Sequence, residues 1–496
     1  MGPYDSYIPQ KPQKISFPMD KKAFLFALGC LIFGLILVNS VYATGFQLGF
    51  AVAAVLCIAL GAGYLLSRGC KANGYGLTVL ALCVVIAGSF ARGDDGFVKF
   101  VMLCFLLLGN NLGLCLLAGK NRRDPGSVSS LNDAGSTLFR LGFGQMGVAA
   151  QSLSDGLRNG SAVGRKCGAV LLGLCLCIPV MAIMIPLLMQ ADAAFEALLD
   201  RAPAISLGEI FATVLFGIVL ALFQFTRGTA LKHHTCAPLT AKTKARLSSL
   251  TVNTVLCAVC LLYGVYLFSQ LSYFIGGFAG LLPQEYTLAE YARRGFFEMA
   301  LLCAINLGII ILSLSLSSPT SRAPLSTRLL CLFVGLATLF FVVAASAKMF
   351  LYIDSFGLTR LRVLTQVIMC FLGLVTVFLC IWLFVPKLPY MKAVILTGLI
   401  LGALVSWTDV DTQVAKYNVD AYLSGQLETV DMAHLSSLGN GATAHILRLA
   451  REAEDAAVVQ TAQDILRQRH ISDSSDLRGW NYVNQETARL LDEYFK

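Results

Sequence analysis

Charge is what this sequence has least of: Asp, Glu, Lys and Arg make up 14% of its 496 residues, against roughly a quarter in soluble globular domains. That scarcity, beside 56% hydrophobic residues, excludes a soluble fold and leaves a polytopic membrane protein. Cysteine is missing after Cys380, so the hydrophilic stretch that closes the chain has no disulfide framework. Most of the 16 cysteines lie in apolar runs, where a free thiol packs as a small hydrophobe. Cys257 and Cys260 form a CxxC within such a run, and His233, His234 and Cys236 lack a fourth ligand, so no metal site is assigned. No HExxH and no nucleophile paired with a base is present, and Asp94 and Asp95 have no visible catalytic partner. Gly142, Gly144 and Gly147 spell GxGxxG without a strand before them, which excludes a dinucleotide fingerprint. No cofactor and no nucleic-acid partner is expected.

What the chain does have is apolar length. Runs at 23–42, 46–67, 74–91, 97–118, 167–189, 207–225, 247–275, 297–317, 329–353, 361–385 and 389–407 give about eleven candidate spans, each close to the ~20 residues a bilayer core requires of a helix. The fold class is therefore all-α, a transmembrane helix bundle over 23–407 with a small soluble helical domain at 408–496. With the N-terminus inside, the inner segments carry 22 Lys and Arg and the outer ones 8. This contrast places the N-terminus in the cytoplasm and, after eleven crossings, the C-terminal domain outside.

Residues 1–22, with four prolines and four lysines, read as a disordered cytoplasmic arm before an uncleaved first span. The inner loop at 119–166 mixes basic residues with Leu138, Phe139, Leu141 and Phe143, which fits an interfacial segment drawn to membrane lipids. Pro179 and Pro186 should bend the fifth span, and Asp192, Glu196 and Asp200 form a solvated acidic row after it. Residues 408–496 hold 14 acidic and 8 basic side chains, with helical periodicity at 410–423, 430–438, 442–469 and 481–495. Arg448 with Glu452 and Arg451 with Asp455 are spaced as i,i+4 pairs.

Two charged constellations stand out. In YTLAEYARRGFFEMALLCAIN (286–306), Thr287 and Glu290 form a capping box, and Glu290, Arg294 and Glu298 share one helical stripe, with Arg293 as the additional charge. In SAKMFLYIDSFGLTRLRV (346–363), Lys348 lies about a turn inside a span end, followed by Tyr352 and Asp354. Gly357 is placed to end one helix and Thr359 to begin the next. Arg360 and Arg362 then break the charge bias, which implies fixed partners, either Asp354 or the Glu290 and Glu298 stripe. A charge at membrane depth costs at least ~2.5 kcal/mol, so Glu290, Arg294, Glu298, Lys348 and Arg362 are expected to form one network. Asn110, Asn111 and Asn306 are the candidate polar residues within the membrane.

The stretches YARRGFFEM, SAKMFLYIDSFGLTRLRV, IPLLMQADAAF and VAKYNVDAYLSGQLETVD resemble an uncharacterised family of bacterial multi-pass membrane proteins, a domain of unknown function of the 4173 type. The resemblance spans roughly 167–449 and implies a bacterial cytoplasmic membrane, but no reaction. The molecular function is accordingly open between three readings. A non-catalytic envelope or sensory scaffold, with an envelope protein bound through 408–496, is favoured by charges at span ends. A transporter or lipid-handling protein and a membrane-embedded enzyme acting on the outer face are the alternatives.

Overall fold

The computed structural model describes residues 17–93, 95–119, 135, 137–159, 180–181, 184, 187–188, 207–233, 247–278, 296–317, 323–469 and 476–496. Every regular element among them is helical. The helices are α1 Lys21–Thr44, α2 Leu48–Ser67, α3 Gly74–Ser89, α4 Gly96–Leu117, α5 Met146–Asn159, α6 Leu207–His233, α7 Ser249–Phe278, α8 Phe296–Ser317, α9 Leu325–Phe356, α10 Arg360–Phe384 and α11 Tyr390–Thr408. The tail adds α12 Val410–Leu423, α13 Met432–Ser437, α14 Thr443–Glu452, α15 Ala456–Gln468 and α16 Tyr482–Phe495. Nine of the described helices are long and apolar enough to cross a membrane. The third expected run is the shorter α3, and the fifth, at 167–189, lies outside the described residues, as does the arm at 1–16.

The helix starts follow from short polar side chains at their caps. Asp20 accepts from Ala23 N at 2.9 Å, Asn73 from Tyr75 N at 3.1 Å, and Asp95 from Phe97 N and Val98 N at 2.9 and 3.1 Å. Thr359 caps α10 as its sequence position predicts, and Gly357 ends α9 with a φ of 72°.

Packing divides the membrane helices into two halves. One buried cluster joins α1 to α4 and α6, with Leu65, Cys83, Ile86 and Phe225 at its centre. The second joins α7 to α10 around Leu256, Cys303, Val334 and Phe341. Helix α11 belongs to both, since Leu399 and Ala403 enter the first cluster and Tyr390 and Met391 the second. In the first half, α1 and α6 approach so closely that a Cβ on Gly34 would fall 2.1 Å from the Gly217 carbonyl oxygen. Any larger residue there pushes the two backbones apart.

The two ends of the bundle are distinguished by their polar contacts. At the N-terminal face Arg68 pairs with Asp20 at 2.5 Å, Lys232 donates to Arg68 O at 2.9 Å, and Phe17 N donates to Ser152 Oγ at 3.0 Å. At the opposite face Lys99 donates to Gln47 at 3.2 Å, and the tail covers the helix ends. Within the 119–166 segment, residues Thr137–Phe143 form a π-helical turn that buries Leu138 and Leu141, the latter in the core of the first half, and leaves Phe139 and Phe143 exposed.

The tail begins at a sharp break. Asp409, between α11 and α12, has a φ of 47°, the one positive φ of a non-glycine residue among those described. The expected 442–469 helix is two helices, because Asp455 caps a new start by accepting from Ala457 N at 2.8 Å. Arg448 meets Glu452 at 3.0 Å as its spacing predicts, whereas Arg451 lies over the Tyr494 ring and does not take up the expected pair with Asp455. The tail core of Val414, Val419, Ile446 and Leu466 also packs against Val98, Leu358, Val363, Leu364 and Val367 of the membrane helices.

Candidate functional site

Three residues of the expected charged network, Glu290, Arg293 and Arg294, lie outside the described residues. Glu298, exposed near the start of α8, is close enough to Lys348 of the adjacent α9 for their charges to interact. Arg362 does not turn toward Asp354 or Glu298. Its Nη1 donates to the Phe356 and Gly357 carbonyls, the former at 3.0 Å, and its guanidinium stacks 4.2 Å from the Tyr352 ring. The reason is local: α9 ends just before α10 starts, so freed carbonyls stand nearest to that side chain. Asp354 accepts instead from Gln426 Nε2 of the tail at 2.5 Å.

Arg360 finds its partners in the tail and in α4. Its Nη2 donates to Asp411 Oδ2 at 2.6 Å, its Nε to Asp411 Oδ1, and Nε also faces Asp95 Oδ2 at 3.4 Å. The two carboxylates are almost completely enclosed, at 3% and 7% side-chain exposure, while the guanidinium is at 35%. Asp411 further accepts from Gly439 N at 2.7 Å. About two turns along α12 from Asp411, Asn418 clasps the α9–α10 corner by accepting from Leu358 N at 2.6 Å and donating to Leu358 O at 2.8 Å. Gly357 is required there twice over, for its positive φ and because a Cβ would stand 2.6 Å from Asn418 Oδ1.

Asp409 sits beside this pair. Burial pushes its carboxyl above the usual carboxylate range, while the Thr412 hydroxyl, which donates to it at 2.6 Å, and Arg92 oppose that push. A raised folded-state pKa means that the cost of its charge is absent in acid and grows as pH rises through that value. Asp409→Asn keeps an acceptor for Thr412, suits the left-handed backbone and removes the charge. It should stabilise the protein at neutral pH by about 0.5–1.5 kcal/mol, an advantage that fades on acidification. Thermal melts of the two proteins across pH check this, and a neutral-pH loss would show that the charge is needed.

The other end of the tail grips the first half. Arg478, held by Asp476 at 2.6 Å, reaches Glu209 at 3.5 Å and Asn39. Asn481 donates to Gln47 Oε1 at 2.8 Å and to Gly93 O at 2.9 Å, and Tyr482 N donates to Ala91 O at 3.0 Å. The tail is therefore fastened to both halves of the bundle.

Deeper in the membrane region, the asparagines fall into two polar centres. Asn306, fully buried, accepts from Tyr263 Oη at 2.5 Å and donates to Thr338 Oγ1 at 2.9 Å. Asn111 accepts from Arg227 Nη1 at 3.1 Å, and Cys57 Sγ lies 3.8 Å from Asn110 Nδ2 and 3.9 Å from Arg227 Nη2. Arg227 is 2% exposed and has no carboxylate partner among the described residues. Sequence reading missed it by ending the sixth run at 225 and assigning Arg227 to the following loop. The helix continues to His233, and Lys232 marks its true polar end. No group of His, Cys, Asp and Glu among the described residues could hold a metal ion.

Fold and site together define a multi-pass membrane helix bundle with a helical cap seated on one face. The chain belongs to the family described as a domain of unknown function, DUF4153, whose sequence profile matches residues 23–449. This is a different family from the 4173 type that its motifs resemble, and its match closes at the end of the tail's first half, within α14. No curated protein and no solved structure matches the chain.

Proposed function

We propose that the protein is a non-catalytic scaffold whose tail, seated across both membrane halves, offers its solvent face to an envelope protein. The observation that carries this reading is the use made of the expected site residues. Arg360, Arg362 and Asp354 are engaged with Asp411, backbone carbonyls and Gln426, so they hold the tail and the α9–α10 corner in place. A partner then meets a fixed surface, and fixing a surface beforehand lowers the entropic cost of binding it. The charge contrast along the sequence supports an N-terminus inside and 408–496 outside, and the resemblance of its motifs to bacterial multi-pass proteins supports a bacterial cytoplasmic membrane.

One experiment tests partner and orientation together. Gln460, exposed on α15, is changed to Cys, and an impermeant thiol-reactive crosslinker is applied to intact cells, with the unsubstituted protein as background. The expected result is a discrete protein adduct specific to Gln460→Cys. Absence of any labelling there places the tail inside, and labelling without a discrete partner defeats the scaffold reading. The transporter or lipid-handling reading keeps one supporting observation, the buried Arg227 beside Asn111. An ionisable side chain at that depth commonly marks a solute path.

A further inference from the structure

We infer that the junction of α3, α11 and the tail is a phospholipid site, with the lipid phosphate on Arg92 and an acyl chain along α11. Arg92 lies just beyond the end of α3, where the tail is stitched to the bundle. Tyr482 N donates to Ala91 O at 3.0 Å and Val483 N to Arg92 O at 3.3 Å. The Arg92 guanidinium lies over two aromatic rings, 5.5 Å from that of Tyr482 and 6.0 Å from that of Trp407 near the end of α11. Such rings attract a cation and hold it in place, but they carry no net charge to neutralise it.

What the guanidinium lacks is an oxygen. Its Nε is enclosed without a hydrogen-bond partner, and no ion pair joins Arg92 to a carboxylate among the described residues. Asp409 acts on it only through space, and burial pushes that carboxyl toward its neutral form. Glu486, beside Tyr482 on α16, has a cation of its own in Arg489 at 3.9 Å. A forked donor that is positioned beforehand and lacks a counter-charge suits a phosphodiester, whose two free oxygens can accept from one guanidinium together.

Position decides where that phosphate comes from. Trp407 and Tyr482 are both exposed, and such side chains gather at the level where a membrane meets water. Below them Ile400, Leu404 and Trp407 recur at i, i+4 and i+7 on α11, all exposed, so an apolar stripe about 10 Å long climbs to the guanidinium. Val84 and Val85 of α3 widen this surface, and Trp407 is fixed at its top by donating Nε1 to Val85 O at 2.9 Å. A free phosphate would leave the stripe bare, and an apolar helix would leave Arg92 unpaired. A glycerophospholipid covers both. The inference depends neither on the scaffold reading nor on the side of the membrane that the tail occupies.

The test uses the full chain in dodecyl maltoside, offered phosphatidylglycerol, with retained lipid counted by native mass spectrometry. The unsubstituted protein should keep one lipid through washing. Arg92→Gln should lower its occupancy about tenfold or more, through loss of a charge-assisted bond. Leu404→Gln, which faces away from the tail and leaves the cation in place, should lower it about threefold through lost apolar contact. Lys71→Gln removes an exposed cation at the opposite face and should change nothing. Melting temperatures confirm that each variant is folded. Equal retention by all four proteins, or a loss in Lys71→Gln as large as in Arg92→Gln, overturns the site. Displacement of the lipid by inorganic phosphate, with Leu404→Gln behaving as the unsubstituted protein, overturns a lipid occupant in favour of a free phosphate. A lipid-free dimer mass overturns it in favour of a second copy of the chain.

Discussion

Arg360→Ala should destabilise the protein by about 3–5 kcal/mol, because it leaves two enclosed carboxylates without their cation. The stranded group that matters is Asp411, at 3% exposure, rather than the more open guanidinium that is removed. Asp411→Ala should cost less, since it strands a side chain that water already reaches, although the bond from Gly439 N is lost with it. The double variant should be less impaired than the sum of its singles, and the coupling should exceed ~0.5 kcal/mol. Detergent melts of the four proteins measure it. Additive losses would mean that the contact is not what seats the tail.

Asn306→Ala should produce the second large loss, about 2–4 kcal/mol, in the heart of the other half. The substitution deletes the acceptor of the Tyr263 hydroxyl and the donor to Thr338, and it opens a small void between α7, α8 and α9. Thr338 is less affected, since its hydroxyl still donates to Val334 O at 2.7 Å. Tyr263, only 7% exposed, has no such reserve. Adding Tyr263→Phe to Asn306→Ala should therefore return about 1–2 kcal/mol, the part due to a stranded hydroxyl. Tyr263→Phe alone should be destabilising, so the sign of its effect reverses with the background. If it is destabilising in both, the hydroxyl has another acceptor and the centre is not built as described.

Span positions were legible because each run needs only length and hydrophobicity, and those are local properties. The Thr359 cap and the Gly357 terminator were legible for the same reason: one residue type answers one backbone need. The partners of Arg360 were not, because Asp411 is 51 residues away and looks like any solvated acid at the start of a helix. What local reading supplied was the expectation that Arg360 must have a fixed partner, and that much the geometry meets. Asn418 was hidden inside VAKYNVDAYLSGQLETVD, where nothing but its burial beside Leu358 reveals that it clasps a corner. Arg227 was misread because a helix end was drawn at the last run of apolar residues, when the helix itself runs on.

Helix α11 is the last membrane span in the chain, yet it completes the first half. It packs on α3 and α4, and Trp407 Nε1 donates to Val85 O at 2.9 Å across a sequence separation of 322. Biosynthesis therefore delivers this wall long after the helices it covers. At about 5–20 residues per second, the exposed flanks of α3 and α4 wait on the order of 15–60 s for their neighbour. During that interval α3, an apolar helix of 16 residues, depends on lipid or on an insertion factor for cover. Substitutions that weaken α11 against α3 should accordingly reduce yield from cells more than they reduce the melting temperature of protein that has already matured.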